Sequence, residues 1–172
     1  MKILKFLFLA TFISFFFACS SDDNAEPNNM IAGEWTVSEI SYSGTTSTVV
    51  QGNPPSSGTF VGTGFDMDLK IDFEEDPNNY TSSGDYSINL ETTVDGQTYP
   101  SVWSNIEFQG SGTWSRSGDV LTFTNENGDT SDAQIIEENE SMLKFTQTYN
   151  NTENQNGATV THQVDAIFSF TK

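Results

Sequence analysis

The 172-residue chain contains one cysteine, Cys19, and one histidine, His162, and it carries six lysines and arginines against 24 aspartates and glutamates, a formal charge of −18. Each scarcity excludes something. A lone cysteine cannot close an internal disulfide, and one thiol is too few for a structural zinc site, which takes several soft ligands. The acidic excess repels phosphate backbones, which excludes nucleic acid as a partner. No apolar run reaches the ~20 residues of a spanning helix; the most apolar stretch, Phe6 to Ala18, has thirteen. No serine or cysteine is paired with His162 in a recognisable motif, so nucleophilic hydrolysis has no support. The acids fall in turns or on outward-facing positions, which leaves no carboxylate pair for glycoside cleavage. The expectation is a protein that is not an enzyme, with no cofactor and no metal.

Helical periodicity beyond a turn or two is missing as well, and no internal repeat is present. At the N-terminus, Lys2 and Lys5 precede the apolar run, the charged-then-apolar build of an export signal. The stretch "FFFACSSDD" then places Cys19 between phenylalanines and acid. Phe16-Phe17-Ala18-Cys19 resembles a bacterial lipobox, with Phe16 where leucine is usual. That resemblance implies cleavage before Cys19, a diacylglycerol on its thiol and an acyl chain such as palmitate on its new amine. Two or more chains, at about 0.8 kcal/mol per buried CH₂, make a stable anchor. Ser20-Ser21-Asp22-Asp23 is similar to a tag that sends lipoproteins to the outer face of the outer membrane of Gram-negative bacteria; a solvated linker has the same composition. The expected organisation is a signal peptide at 1–18, an acidic flexible linker at 19–29 and one domain at 30–172. Removing residues 1–18 takes away Lys2 and Lys5 and no acid, which moves the charge from −18 to −20. The anchor, not the domain surface, must therefore hold the protein to an anionic membrane.

What the domain has in abundance is alternation. In "FDMDLKIDF", Phe65 to Phe73, apolar residues occupy every odd position and Asp66, Asp68, Lys70 and Asp72 the even ones. Period two over nine residues predicts a strand with one face buried and one wet. Further strands are expected around Tyr86–Leu90, around Val102, Ile106, Phe108 and Trp114, around Leu121–Phe123, Ala133–Ile135 and Leu143–Tyr149, and around Val160–Phe170. The first, "GEWTVSEISY", changes phase between Val37 and Ile40, which predicts a bulge or bend. Asn-, Asp- and Gly-rich turns at 76–79, 94–97, 116–119, 125–129 and 137–141 join them as hairpins. The fold class is all-β: an eight-stranded antiparallel up-and-down barrel, closed because closure removes exposed edges. Ser43 to Gly64 is expected to be a long loop, either a lid over the barrel mouth or surface filler.

"IAGEWTV" looks like the Gly-x-Trp opening of lipocalins, with Gly33 and Trp35 in the matching places. "GSGTWSRSGDVLTFTNENGDTSDAQIIEENESMLKFT" is similar to the second half of bacterial lipocalin-like domains, which commonly follow a lipobox in envelope lipoproteins. The resemblance covers Ile31 to Lys172. It implies a lipocalin-like barrel on the cell envelope that holds a small apolar or amphiphilic molecule. Larger lipocalins place an arginine on the last strand against the Trp; here only Lys172 is near.

An eight-stranded barrel is filled by side chains or holds one small ligand. Eleven aromatic rings fall on the inward phase, among them Trp35, Phe108 and Trp114, and could fill it. Ser104, Gly110 and Gly112 offer no bulk on one strand and predict a local hollow or a bend. The candidate ligand contacts are Trp35, Phe108, Gly110, Gly112, Trp114, Gln147 and His162, the last two as polar groups that orient a ligand or as satisfied core residues. Asp66, Asp68 and Asp72, and "NENGDTSD" at 125–132, have oxygen ligands at spacings that suit weak calcium binding, but a solvated face and a hairpin turn explain them more simply. If the barrel is filled instead, the protein is a structural or adhesion-type surface protein that meets its partners through loops and acidic faces. The oligomeric state is not legible.

Overall fold

The computed structural model describes residues 30–172, without the side chain of Gln155. The signal peptide, the lipidation site Cys19 and the linker lie outside the described residues. Eleven strands follow one another: β1 (Gly33–Val50), β2 (Ser56–Phe65), β3 (Lys70–Phe73), β4 (Asn79–Ser83), β5 (Tyr86–Val94), β6 (Gln97–Ile106), β7 (Ser111–Ser117), β8 (Val120–Asn125), β9 (Thr130–Asn139), β10 (Met142–Gln155) and β11 (Ala158–Thr171). All pair antiparallel, and β11 returns along β1 from Thr36 to Val50 to close the sheet. Three of the eight barrel strands are each broken in two, as β2 with β3, β4 with β5, and β6 with β7, which accounts for the eleven. The fold is an all-β, eight-stranded antiparallel closed barrel.

The breaks lie side by side and have local causes. The alternation of Phe65–Phe73 does not run through as one strand, because Asp66 takes a positive φ and β2 stops before it. Asp68 then ties this break to the next: its Oδ1 accepts from the Asp85 amide at 2.6 Å, and its own amide donates to the Asp85 carbonyl at 3.0 Å. Gly84 sits against that carboxylate with φ +78°, where a Cβ would press on the Asp68 backbone. Across the sheet the third break is held by Ser82, whose amide donates to the Gly110 carbonyl at 2.7 Å and whose hydroxyl reaches the Phe108 carbonyl at 2.7 Å.

Below this seam β1, β3, β4, β7, β8, β9, β10 and β11 form a complete ring. Above it β10, β11, β1, β2, β5 and β6 form a curved sheet, whose two outer strands do not pair with each other. The barrel is therefore shut at one end and open along one side at the other.

Several expectations change. Ser43–Gly64 is not a loop: β1 runs to Val50, β2 begins at Ser56, and only a five-residue turn joins them. Its serines and threonines form strand because β1 has a partner on each edge, so its backbone is satisfied, while half-exposed side chains need no apolar alternation. Val102, expected inside, is 58% exposed. The register slips between Tyr86 and Ile88 because β6 carries an extra residue near Asn105, whose φ is +55°. One inserted residue exchanges the faces of a strand, so Ser104 faces out and shares no phase with Gly110 and Gly112. The bulge expected between Val37 and Ile40 is present, as a register shift between Val37 and Glu39.

The closed end is packed with rings. Phe73, Phe123, Phe145, Phe168 and Phe170 are almost fully buried, with neighbouring centroids 5.5–6.4 Å apart. Burial of such side chains contributes ~1.5–3 kcal/mol each and dominates the stability of the ring.

Candidate functional site

Above the seam the curved sheet encloses a cavity of about 840 Å³. The strand register sets its layers. Phe145 pairs with Phe168 and Phe168 with Ile40, which makes an aromatic plate under the cavity. One step higher Gln147, Ala166, Tyr42, Gly62 and Leu90 lie in register across five strands, and one step above those come Tyr149, Val164, Gly44 and Phe60. Gly44 and Gly62 let neighbours pack close, Phe60 against the first and Ile88 and Leu90 against the second, and the aromatic plate is not continued upward, so space remains.

The floor is polar on an apolar bed. Tyr42 and Tyr86 both stand edge-on to Phe168, with centroids 6.2 Å away in each case, and their hydroxyls are 2.7 Å apart. Tyr149 reaches the same space, and its hydroxyl donates to Gln147 Oε1. Gln147 is buried, and its Nε2 has no hydrogen-bond partner. Burial pushes the Tyr86 hydroxyl up to about 12, a shift that the Tyr42 hydrogen bond partly offsets. Burial first, then the neighbouring hydroxyl, raises Tyr42 and Tyr149 as well. All three are neutral hydrogen-bonding groups at physiological pH.

The walls are apolar: Phe60, Leu90, Val164 and Trp103 face the cavity, with Phe108 and Ile88 toward the base. Polar groups complete the lining: Thr46, Asn151, Glu153 and His162 lie together at the rim, Ser101 stands beside Leu90, and Glu107 and Gln109 flank Phe108 at the base. An apolar chamber with a few convergent polar groups is the usual make-up of a small-molecule site. The hydroxyl–carboxylate pairs Ser111–Glu126, Thr122–Asp132 and Thr148–Asp165 lie outside this cavity, and no cluster of three or more metal-ligating side chains occurs among the described residues. The carboxylates at 125–132 belong to a turn: Asn125 Oδ1 accepts from the amides of Asn127 and Asp129, both at 2.9 Å.

The sequence candidates divide. Phe108 and His162 line the cavity, and Gln147 lies under it, joined to it through Tyr149. Trp35 and Trp114 belong to the closed end, where Trp35 Nε1 donates to the Ile31 carbonyl at 2.6 Å and Trp114 Nε1 to the Glu74 carbonyl at 3.0 Å. Gly110 lies exposed in the third break with φ +69°. At Gly112 the β8 backbone comes so close that a Cβ would collide with the Thr124 carbonyl, so the missing side chain is matched by a neighbouring strand and no hollow results. Sequence reasoning missed Tyr42, Phe60 and Trp103. The signal for Tyr42 was its step of two from Ile40; Phe60 was hidden in a stretch whose Ser and Gly content reads as loop.

A family described as a lipocalin-like domain matches residues 31–145, more than half of the chain. Searches of the curated proteins and of the solved structures return no match.

Proposed function

Because the chain belongs to the lipocalin-like domain family, whose barrel suggests ligand binding in general, we propose that it is a non-enzymatic binding module for a small apolar or amphiphilic molecule, tethered by a lipidated Cys19 to the outer membrane of a Gram-negative cell and exposed at its surface. The cavity is the observation that carries the binding half of this reading. A filled barrel would continue the Phe145–Phe168 plate upward; here Tyr42, Tyr86, Phe60 and Val164 surround about 840 Å³ that stays open. That volume falls in the range of ~300–1,000 Å³ that suits drug-sized molecules.

The tethering half is supported by the sequence Phe16-Phe17-Ala18-Cys19 and by a domain too acidic to hold an anionic membrane on its own. Native mass spectrometry of the protein after incubation with a total lipid and metabolite extract tests the binding half. A reproducible added mass is the expected result and identifies the ligand class. A bare protein mass would shift the reading to a surface protein that works through its loops and acidic faces.

A further inference from the structure

We infer that the cavity selects amphiphiles with an uncharged hydrogen-bond-acceptor head, the carbonyl of an ester, ketone or amide, and that this head seats against the Tyr42–Tyr86 hydroxyl pair with the tail toward the rim. This inference rests on the ligand-binding reading and narrows it to a chemical class.

The proton count on the floor gives the polarity of the head. Two hydroxyls 2.7 Å apart share one hydrogen bond, so one donates and the proton of the other is left over. The Tyr149 proton is already committed to Gln147, and the Gln109 side chain meets the Tyr149 hydroxyl. What the Tyr42–Tyr86 pair has to spare is therefore a donor. Phenol oxygens give up a lone pair to their rings and accept poorly, so a head that only donates gains little there.

Charge then separates acceptors from one another. Among the residues that line the cavity no lysine or arginine occurs, Glu107 and Glu153 face it, and His162 stands at the rim, away from the floor. A carboxylate on the floor would be desolvated without a counter-ion in a strongly acidic chain, which is costly. A neutral carbonyl carries no such cost. The floor is also the place where a hydrogen bond counts most, since it lies under apolar walls while the rim is open to water.

Three probes of equal chain length test this: methyl laurate, laurate and dodecane, titrated at neutral pH against the protein expressed as the full chain and purified as the cell leaves it. Methyl laurate is expected to bind at least about ten-fold tighter than either of the others. In Tyr42→Phe/Tyr86→Phe the ester should fall to the affinity of dodecane, while dodecane itself is unchanged, because both rings remain on Phe168. Should the double variant fail to fold, the infrared stretch of a carbonyl-labelled ester bound to the unaltered protein decides: a shift to lower frequency supports the hydrogen bond, and an unshifted band overturns it. Laurate binding as tightly as its ester, or dodecane doing so, overturns the inference. So does the absence of all three from the cavity; if the extract nevertheless yields a bound mass, the site stands and only the class is wrong.

Discussion

The Lys172 ammonium lies 4.5 Å from the centroid of the Trp35 ring and donates to the backbone carbonyls of Met30 at 3.1 Å and Ala32 at 2.9 Å. The last charged residue of the chain thereby fastens the end of β11 to the start of β1. It holds a cation on the face of Trp35, the place where larger members of the resembled family put arginine.

Lys172→Ala should therefore loosen the closed end without touching the cavity. A partly exposed cation on a tryptophan face contributes ~0.5–1 kcal/mol, with a similar gain from its hydrogen bonds. Thermal unfolding should shift down by about 3–6 °C, and Lys172→Arg should recover most of the loss. If Lys172→Ala melts with the unaltered protein, the latch contributes nothing.

Phe123 touches Phe73, Tyr80, Phe108 and Phe145, and is fully buried. Truncation to alanine removes the ring and leaves a void that the stiff barrel cannot close. The expected cost is ~3–5 kcal/mol in denaturant unfolding, a large share of the stability of a domain this size. A cost under about 1 kcal/mol would mean that the rings are not packed as described.

The closed end was legible in the sequence, and the cavity was not. Leu121 with Phe123 and Leu143 with Phe145 alternate against polar neighbours, because one face is buried and the other meets water, and Phe168 with Phe170 keeps the same alternation although Ser169 between them is covered. Period two reports that situation directly. Above the seam the rule loses its footing. The inner face of β1 and β2 carries Tyr42, Gly44, Thr46 and Gly62, since it borders a cavity and not a core, and the pattern reads as a polar loop. The bulge in β6 has no apolar signature either, so Val102 was placed on the wrong face. Gly112 misled for another reason: a missing side chain can mean an empty space or a strand pressed close, and only the β7–β8 pairing tells which.

The tyrosine floor gives the protein an alkaline limit. Folded Tyr86 titrates at about 12, against about 10 in the unfolded chain, and Tyr42 and Tyr149 are shifted in the same direction. Between those values the folded state binds more protons than the unfolded one, so stability falls as pH rises. It is fully present below pH 10 and is lost progressively from there toward pH 12. Denaturant midpoints at rising pH should drop across that window, together with the appearance of tyrosinate absorbance. In Tyr86→Phe the slope should be shallower, because one titrating group is gone.

The anchor has an independent test. Cys19→Ala removes the only thiol, and with it every acyl chain that the lipobox resemblance implies. The variant is expected to leave the membrane fraction entirely on cell fractionation, since a domain of this charge has no affinity of its own for anionic lipid. Continued retention in the membrane would sink the lipobox reading and leave the barrel unaffected.

Val164 offers a way to close the cavity without disturbing the ring below it. It is half-buried on β11 between Tyr149 and Gly44, and its side chain faces the open space. In Val164→Trp the larger ring would project into that space and not into packed core, so denaturant stability should change by less than about 1 kcal/mol. A dye that fluoresces only in apolar surroundings is expected to bind the unaltered protein and to lose at least about ten-fold in affinity in the variant. Gly110→Leu is the matching control: Gly110 lies outside the cavity in an exposed bend with φ +69°, so any loss there is one of stability, not of dye binding. Equal dye affinity in Val164→Trp and the unaltered protein would place the bound dye somewhere other than between β11 and β2.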